Sequence, residues 1–163
     1  MEKRAFKMAR IATGNNEEAL DIVQDAMMRL VKKYADKSAE DWPPLFHRIL
    51  QSIIRDWYRK QSVRNRWRQF WRMHEDAQDP IETAENLNTA QPDQQLGAEL
   101  AIEEIENVIK QLPLRQQQVF MLRSVEGMNT AETAAAMQCS QGSVKTHYSR
   151  ALAVLRQTFK QHC

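Results

Sequence analysis

Apolar residues recur at three- and four-residue steps over most of this chain, the period of an α-helix with one buried face. Runs that are apolar at every second position, as a half-buried strand requires, are not visible. The first well-marked helix starts at Asn15-Asn16-Glu17-Glu18, where an Asn cap and first-turn acids satisfy free amides and complement the helix dipole. Its stripe of Leu20, Val23, Met27, Leu30, Val31 and Tyr34 is expected to face a core. Asp21, Gln24, Asp25, Met28 and Lys32 make a second stripe, which sets a Met among acids on the outward side and gives a partner helix somewhere to dock. Residues 36–44 read as a loop, closed by Asp41 and by two prolines that suit a helix's first turn. A second long helix is expected from about Leu45 to beyond Lys60, with Phe46, Ile49, Leu50, Ile53 and Trp57 inward and Arg48, Ser52, Arg55 and Arg59 along another face.

The periodicity lapses over residues 77–98, where Pro80, Asn86, Asn88, Pro92, Gly97 and several Gln read as a mobile linker. It resumes over residues 100–111 with Ile102, Ile105, Val108 and Ile109 inward, and Pro113 ends that helix. Residues 115–126 form the next one, burying Val119, Phe120, Leu122 and Val125 and stopping at Gly127. Thr130 is expected to cap a short helix to Met137, and Ser140 a long one from Gln141 to about Phe159 that buries Val144, Tyr148, Ala151 and Leu155. A short helix, a tight turn at Gln138-Cys139-Ser140 and a longer helix make a helix-turn-helix. Its last helix leaves Lys145, Thr146, Ser149 and Arg150 outside near the N-terminal half, the part that enters a major groove. The fold expected is all-α: two small helical domains, residues 1–74 and 99–163, joined by an acidic flexible linker over 75–98.

The formal net charge of +2 hides a segregation. From Arg48 to His74 the chain carries Arg48, Arg55, Arg59, Lys60, Arg64, Arg66, Arg68 and Arg72 against the single acid Asp56, and residues 75–106 then carry acids alone. Two cationic modules thus flank an anionic tether. Cys139 and Cys163 stand far apart without metal-ligand neighbours, so neither a disulfide framework nor a zinc site is expected. No apolar stretch approaches the roughly 20 residues that cross a bilayer, and no signal-peptide core follows Met1, so the expectation is a cytoplasmic protein without membrane insertion. His47, His74, His147 and His162 are scattered, and neither a nucleophile motif nor carboxylates paired at a catalytic spacing appear. An enzyme is not expected, nor a cofactor.

Several motifs resemble the extracytoplasmic-function (ECF) group of bacterial RNA polymerase sigma factors. Leu112-Pro113, Gln117, Val119-Phe120, Leu122, Glu126-Gly127, Glu132-Thr133-Ala134, Gly142-Ser143-Val144-Lys145, Arg150-Ala151-Leu152 and Leu155-Arg156 resemble region 4 of that family. Asp21-Ile22-Val23-Gln24-Asp25-Ala26-Met27 is similar to region 2.2, and Leu45-Phe46-His47-Arg48-Ile49 with Asp56-Trp57-Tyr58-Arg59-Lys60 to regions 2.3 and 2.4. The resemblance implies that Asp21, Gln24, Asp25 and Met28 dock on the beta-prime clamp of core RNA polymerase. It implies that the loop over residues 36–44, with Trp42, Arg48, Arg55, Arg59 and Lys60, holds the promoter −10 element as it melts. Lys145, Thr146, Ser149 and Arg150 would grip the −35 element, while the beta flap tip sits in the apolar groove of region 4. Many relatives also have an anti-sigma partner. Ser52 departs from the family's usual Asn, the N-terminal helix of region 2 is expected to be short, and the cluster Trp67-Arg68-Gln69-Phe70-Trp71 is not accounted for by the resemblance. The competing reading is a helix-turn-helix regulator that acts without being a polymerase subunit.

Overall fold

The computed structural model describes residues 2–74 and 96–161, with side chains over 2–70 and 102–160. The described residues form helices joined by short turns: α1 (Glu2–Thr13), α2 (Asn16–Tyr34), α3 (Trp42–His74), α4 (Leu96–Gln111), α5 (Leu114–Phe120), α6 (Thr130–Met137) and α7 (Gln141–Gln161). Most of the expected linker lies outside the described residues, although α4 begins at Leu96, inside the stretch read as linker.

The first three helices close around Met8, Ile11, Ile22, Leu30, Phe46, Leu50 and Ile54, and α4 to α7 around Ile109, Leu112, Val119, Leu122, Met137, Val144 and Leu155. Each such side chain contributes about 1.5–3 kcal/mol by leaving water. Local chemistry sets the corners. Asn15 caps α2 by accepting from the Glu17 and Glu18 amides at 2.8 and 3.1 Å. Gly14, at φ 70°, supplies the left-handed residue that turns the chain out of α1. The Trp42 indole N–H donates to the Tyr34 carbonyl at 3.1 Å, closing the end of α2 against the start of α3.

The structure departs from the sequence reading at several points. Leu20, Met27 and Val31 are exposed rather than core, because α2 buries Ala19, Ile22, Val23, Ala26 and Leu30 instead. The two alanines let α2 approach its neighbours closely, which turns the larger residues beside them outward. Ile102 is exposed, and α4 packs through Val108 and Ile109. Asn129, not Thr130, caps α6 in a reciprocal box with Glu132. Helix α3 begins at Trp42, so Pro43 and Pro44 lie inside its first turn, where missing amide donors cost nothing. Ahead of α2, α1 is a full 12-residue helix whose Ala5, Met8, Ala9 and Ile11 are buried. The helix expected over 115–126 loosens into a π turn over Met121–Val125 before Gly127.

The two helical bodies pack against each other along a polar seam. Glu106 of α4 takes Lys7 at 2.9 Å and Arg10 at 2.6 Å from α1. Glu126, just after the π turn, lies 3.3 Å from His47 of α3 and 4.0 Å from Arg4. The Gln118 amide donates to the Gln51 carbonyl at 3.2 Å. His47 Nδ1, Gln118 Oε1, Glu126 Oε1, Arg10 Nε and Arg55 Nε are buried without a hydrogen-bond partner. Partly exposed ion pairs of this kind return only about 0–1 kcal/mol each, and beside the polar seam α3 packs on α6, so that the buried apolar residues of the two bodies form one cluster.

Candidate nucleic-acid interface

Helix α7 is set for contact by its own first turn. The Ser140 hydroxyl accepts from the Ser143 amide at 3.1 Å and leaves the start of α7 capped and exposed. Val144, Ala151 and Leu155 anchor the inner side. Tyr148 is held from two directions, its hydroxyl 3.3 Å from Ser124 Oγ and its ring 5.3 Å from the Arg123 guanidinium. The opposite side presents Lys145, Thr146, Ser149 and Arg150, all exposed, as the sequence reading expected of them. The Thr146 hydroxyl donates to the Gly142 carbonyl at 3.0 Å, which leaves its oxygen free to accept. His147, between these residues, is pulled below its ordinary value by burial and then by Arg115 and Arg150, so it stays neutral near pH 7.

The cationic face of α3 is split. Arg48, Arg59 and Lys60 are exposed, whereas Arg55 is half-buried toward the second body, close enough that its charge works against that of Arg115. Arg48 lines a cleft of about 530 Å³ with Arg29, Lys32, Lys33, Tyr34, Ile49, Ser52 and Gln138. The cleft brings residues from α2, α3 and the turn before α7 together, and it holds four cationic side chains and no carboxylate. The sequence reading missed Arg29, Lys32 and Lys33 as part of this charge. Their signal was present, as cations in the last turns of α2 beside the expected strand-binding loop. Trp42 is half-buried with its N–H already committed to Tyr34, so only its ring remains for contact.

On the far side of α2, Asp21, Gln24 and Met28 are exposed, Met28 at 71%. Asp25 is half-buried and takes Arg29 at 2.9 Å. Leu20, Met27 and Val31 join them, which makes this surface considerably more apolar than the sequence stripe implied.

The family described as Sigma-70 region 2 matches residues 2–74, and that described as Sigma-70, region 4 matches residues 102–155. The ECF RNA polymerase sigma factor SigX of Bacillus subtilis is 30% identical over 145 residues, covering 83% of this chain and 68% of its own. The chain belongs to the ECF RNA polymerase sigma factors. The RNA polymerase sigma-E factor of Streptomyces avermitilis agrees, at 29% identity over 152 residues, 93% of this sigma factor and 76% of that relative. Among solved structures, the sigma factor RpoE in complex with the anti-sigma factor NepR from Bartonella quintana has the same fold, with a TM-score of 0.62 at 19% identity over 98% of this chain and 91% of that one. CnrH in complex with the cytosolic domain of CnrY gives 0.60 at 18% identity, covering 99% and 83%. A sigma factor is a transcription initiation factor: it joins core RNA polymerase, recognises promoter DNA and starts transcription there. Among the described residues of this sigma factor, no helix is long and apolar enough to cross a membrane and no His, Cys, Asp and Glu cluster could hold a metal ion.

Proposed function

We propose that residues 1–74 dock on core polymerase and handle the −10 element, that residues 99–163 hold the −35 element, and that residues 75–98 tether the two. The docking residues are Asp21, Gln24, Asp25 and Met28 on α2, facing the beta-prime clamp and joined by the exposed Leu20, Met27 and Val31. Arg48, Arg55, Arg59 and Lys60, with the Trp42 ring, take the melting −10 strand, since unpaired DNA is held by cationic grooves and aromatic platforms. Lys145, Thr146, Ser149 and Arg150 take the −35 duplex, and the apolar groove of the second body takes the beta flap tip. The chain acts in the cytoplasm, without catalysis of its own and without a cofactor. The observation that carries this reading is one chain with two cationic helix faces on two bodies, one of whose cations, Arg55, is half-buried toward the other body. The half-buried Arg55 supports a further step, in which the bodies part on joining polymerase and its guanidinium is freed. The relatives solved with anti-sigma factors support such a regulator here, a protein that captures this sigma factor away from polymerase.

In vitro transcription with core polymerase on a genomic DNA library tests the proposal. Defined start sites that depend on this chain are expected. Promoter binding by the chain without polymerase, and no initiation with it, would instead indicate a free-standing helix-turn-helix regulator.

A further inference from the structure

Residues 63–70 of α3 add nothing to the core. From Val63 to Phe70 every side chain is exposed, among them Val63 at 47%, Trp67 at 58% and Phe70 at 50%. Val63, Arg66, Trp67 and Phe70 line a shallow cleft of about 420 Å³, and the Trp67 and Phe70 rings meet edge-on at 6.1 Å and 80°. Apolar side chains this exposed and this close together mark a binding surface. Arg66 lines the cleft with them, Arg64 and Arg68 project from the other side of the helix, and none of the three has a carboxylate at ion-pair distance among the described residues; the sequence holds no acid between Asp56 and Glu75.

Two features choose the ligand. Arg48, Ser52, Arg55, Arg59, Val63, Arg66 and Phe70 recur at three- and four-residue steps, so the cleft continues the same stripe of α3 that carries the −10 cations. That stripe runs for about 33 Å along a helix rising about 1.5 Å per residue. In addition, flat ring surfaces set among arginines suit unpaired bases and their phosphates, because every base has a face to stack and every linkage a charge to meet. We infer that the distal part of α3 is a second nucleic-acid contact. An unpaired strand stacks bases on Trp67 and Phe70 and lays a phosphate on Arg66, the arginine that shares their cleft. This inference rests on the sigma-factor reading only for the direction of the strand along α3. None of its residues takes part in the polar seam, so the site stays accessible while the two bodies are closed, unlike Arg55.

The test is fluorescence anisotropy with the full chain, a labelled single strand of about 15 nucleotides and its duplex. Tighter binding of the single strand is expected. Trp67→Ala with Phe70→Ala should weaken it about fivefold or more, the loss expected for one stacked base. Arg66→Ala should reduce the log–log salt slope by about 0.7, the loss of one phosphate contact. Lys3→Ala with Lys160→Ala, exposed cations outside every proposed contact, should leave single-strand affinity unchanged. All these side chains are exposed, and an unchanged melting temperature verifies folding. Full single-strand affinity in the aromatic variant, or a loss of duplex affinity as large as the single-strand loss, overturns the inference. Full affinity combined with lost capture of core polymerase also overturns it and makes the cleft a protein contact. Chain-dependent initiation by the wild type keeps the sigma-factor reading intact in each of those cases.

Discussion

At the scale of single residues, charge placement matters more than charge number. Arg150 is exposed on the capped half of α7, where a guanidinium reaches phosphates or guanine edges. Arg150→Ala should cost about 1–3 kcal/mol in −35 binding by the holoenzyme if it reads a base, and should weaken all sequences equally if it holds phosphate. An unchanged titration would remove it from the interface. His47 is governed by its surroundings. Burial pulls its imidazole below the ordinary 6.5, and the charge and hydrogen bond of Glu126 only partly oppose this. The closed chain therefore binds fewer protons than the opened one, and stability held above 6.5 is lost as pH falls from there through the lowered value. Glu106 adds a second loss at lower pH. Burial works against its charge, but Lys7, Arg10 and Lys110 outweigh that and hold it below its ordinary 4.5, so its contribution disappears as pH drops beneath that value. Melting temperature should decline from pH 7 to 5.5, with a shallower slope in His47→Gln. Some slope persists in that variant because His147 is lowered too. A flat wild-type profile would contradict this account.

At the scale of elements, the helices were legible in the sequence and their rotations were not. Asn15, Ser140 and Gly127 mark helix ends by chemistry that acts within a turn, and the structure has each in that role. The face of α2 is different. Leu20 and Val31 follow helical spacing as faithfully as Val23 and Leu30, so periodicity alone could not tell core from contact. The deciding feature was the small Ala19 and Ala26, which let neighbouring helices approach. The cations of the 530 Å³ cleft were unreadable for a related reason, since Arg29, Lys32 and Lys33 meet Arg48 only after α2 and α3 pack. The exposed assignment has its own test. Leu20→Gln with Met28→Gln should change stability by no more than about 0.5 kcal/mol per site yet reduce core polymerase capture severalfold. A loss of about 2–5 kcal/mol would return Leu20 to the core.

At the scale of the whole molecule, the central feature is the closed contact between two bodies that the proposal assigns to separate stretches of one promoter. Nothing in the sequence marked this contact, because its partners, such as Arg10 and Glu106, lie 96 positions apart. Glu106→Lys sets three cations together at the seam, and scattering should report a larger radius of gyration with helix content unchanged. An unchanged radius would mean that Glu106 does not hold the bodies. The most direct measurement is a hydroxyl-radical footprint of the holoenzyme on one of its promoters. Two separate protected patches are predicted, the downstream one lost with Arg55→Ala and Arg59→Ala, the upstream one with Lys145→Ala and Arg150→Ala. A single patch, or loss of both patches from either pair of substitutions, would contradict the assignment of the two bodies to two promoter elements.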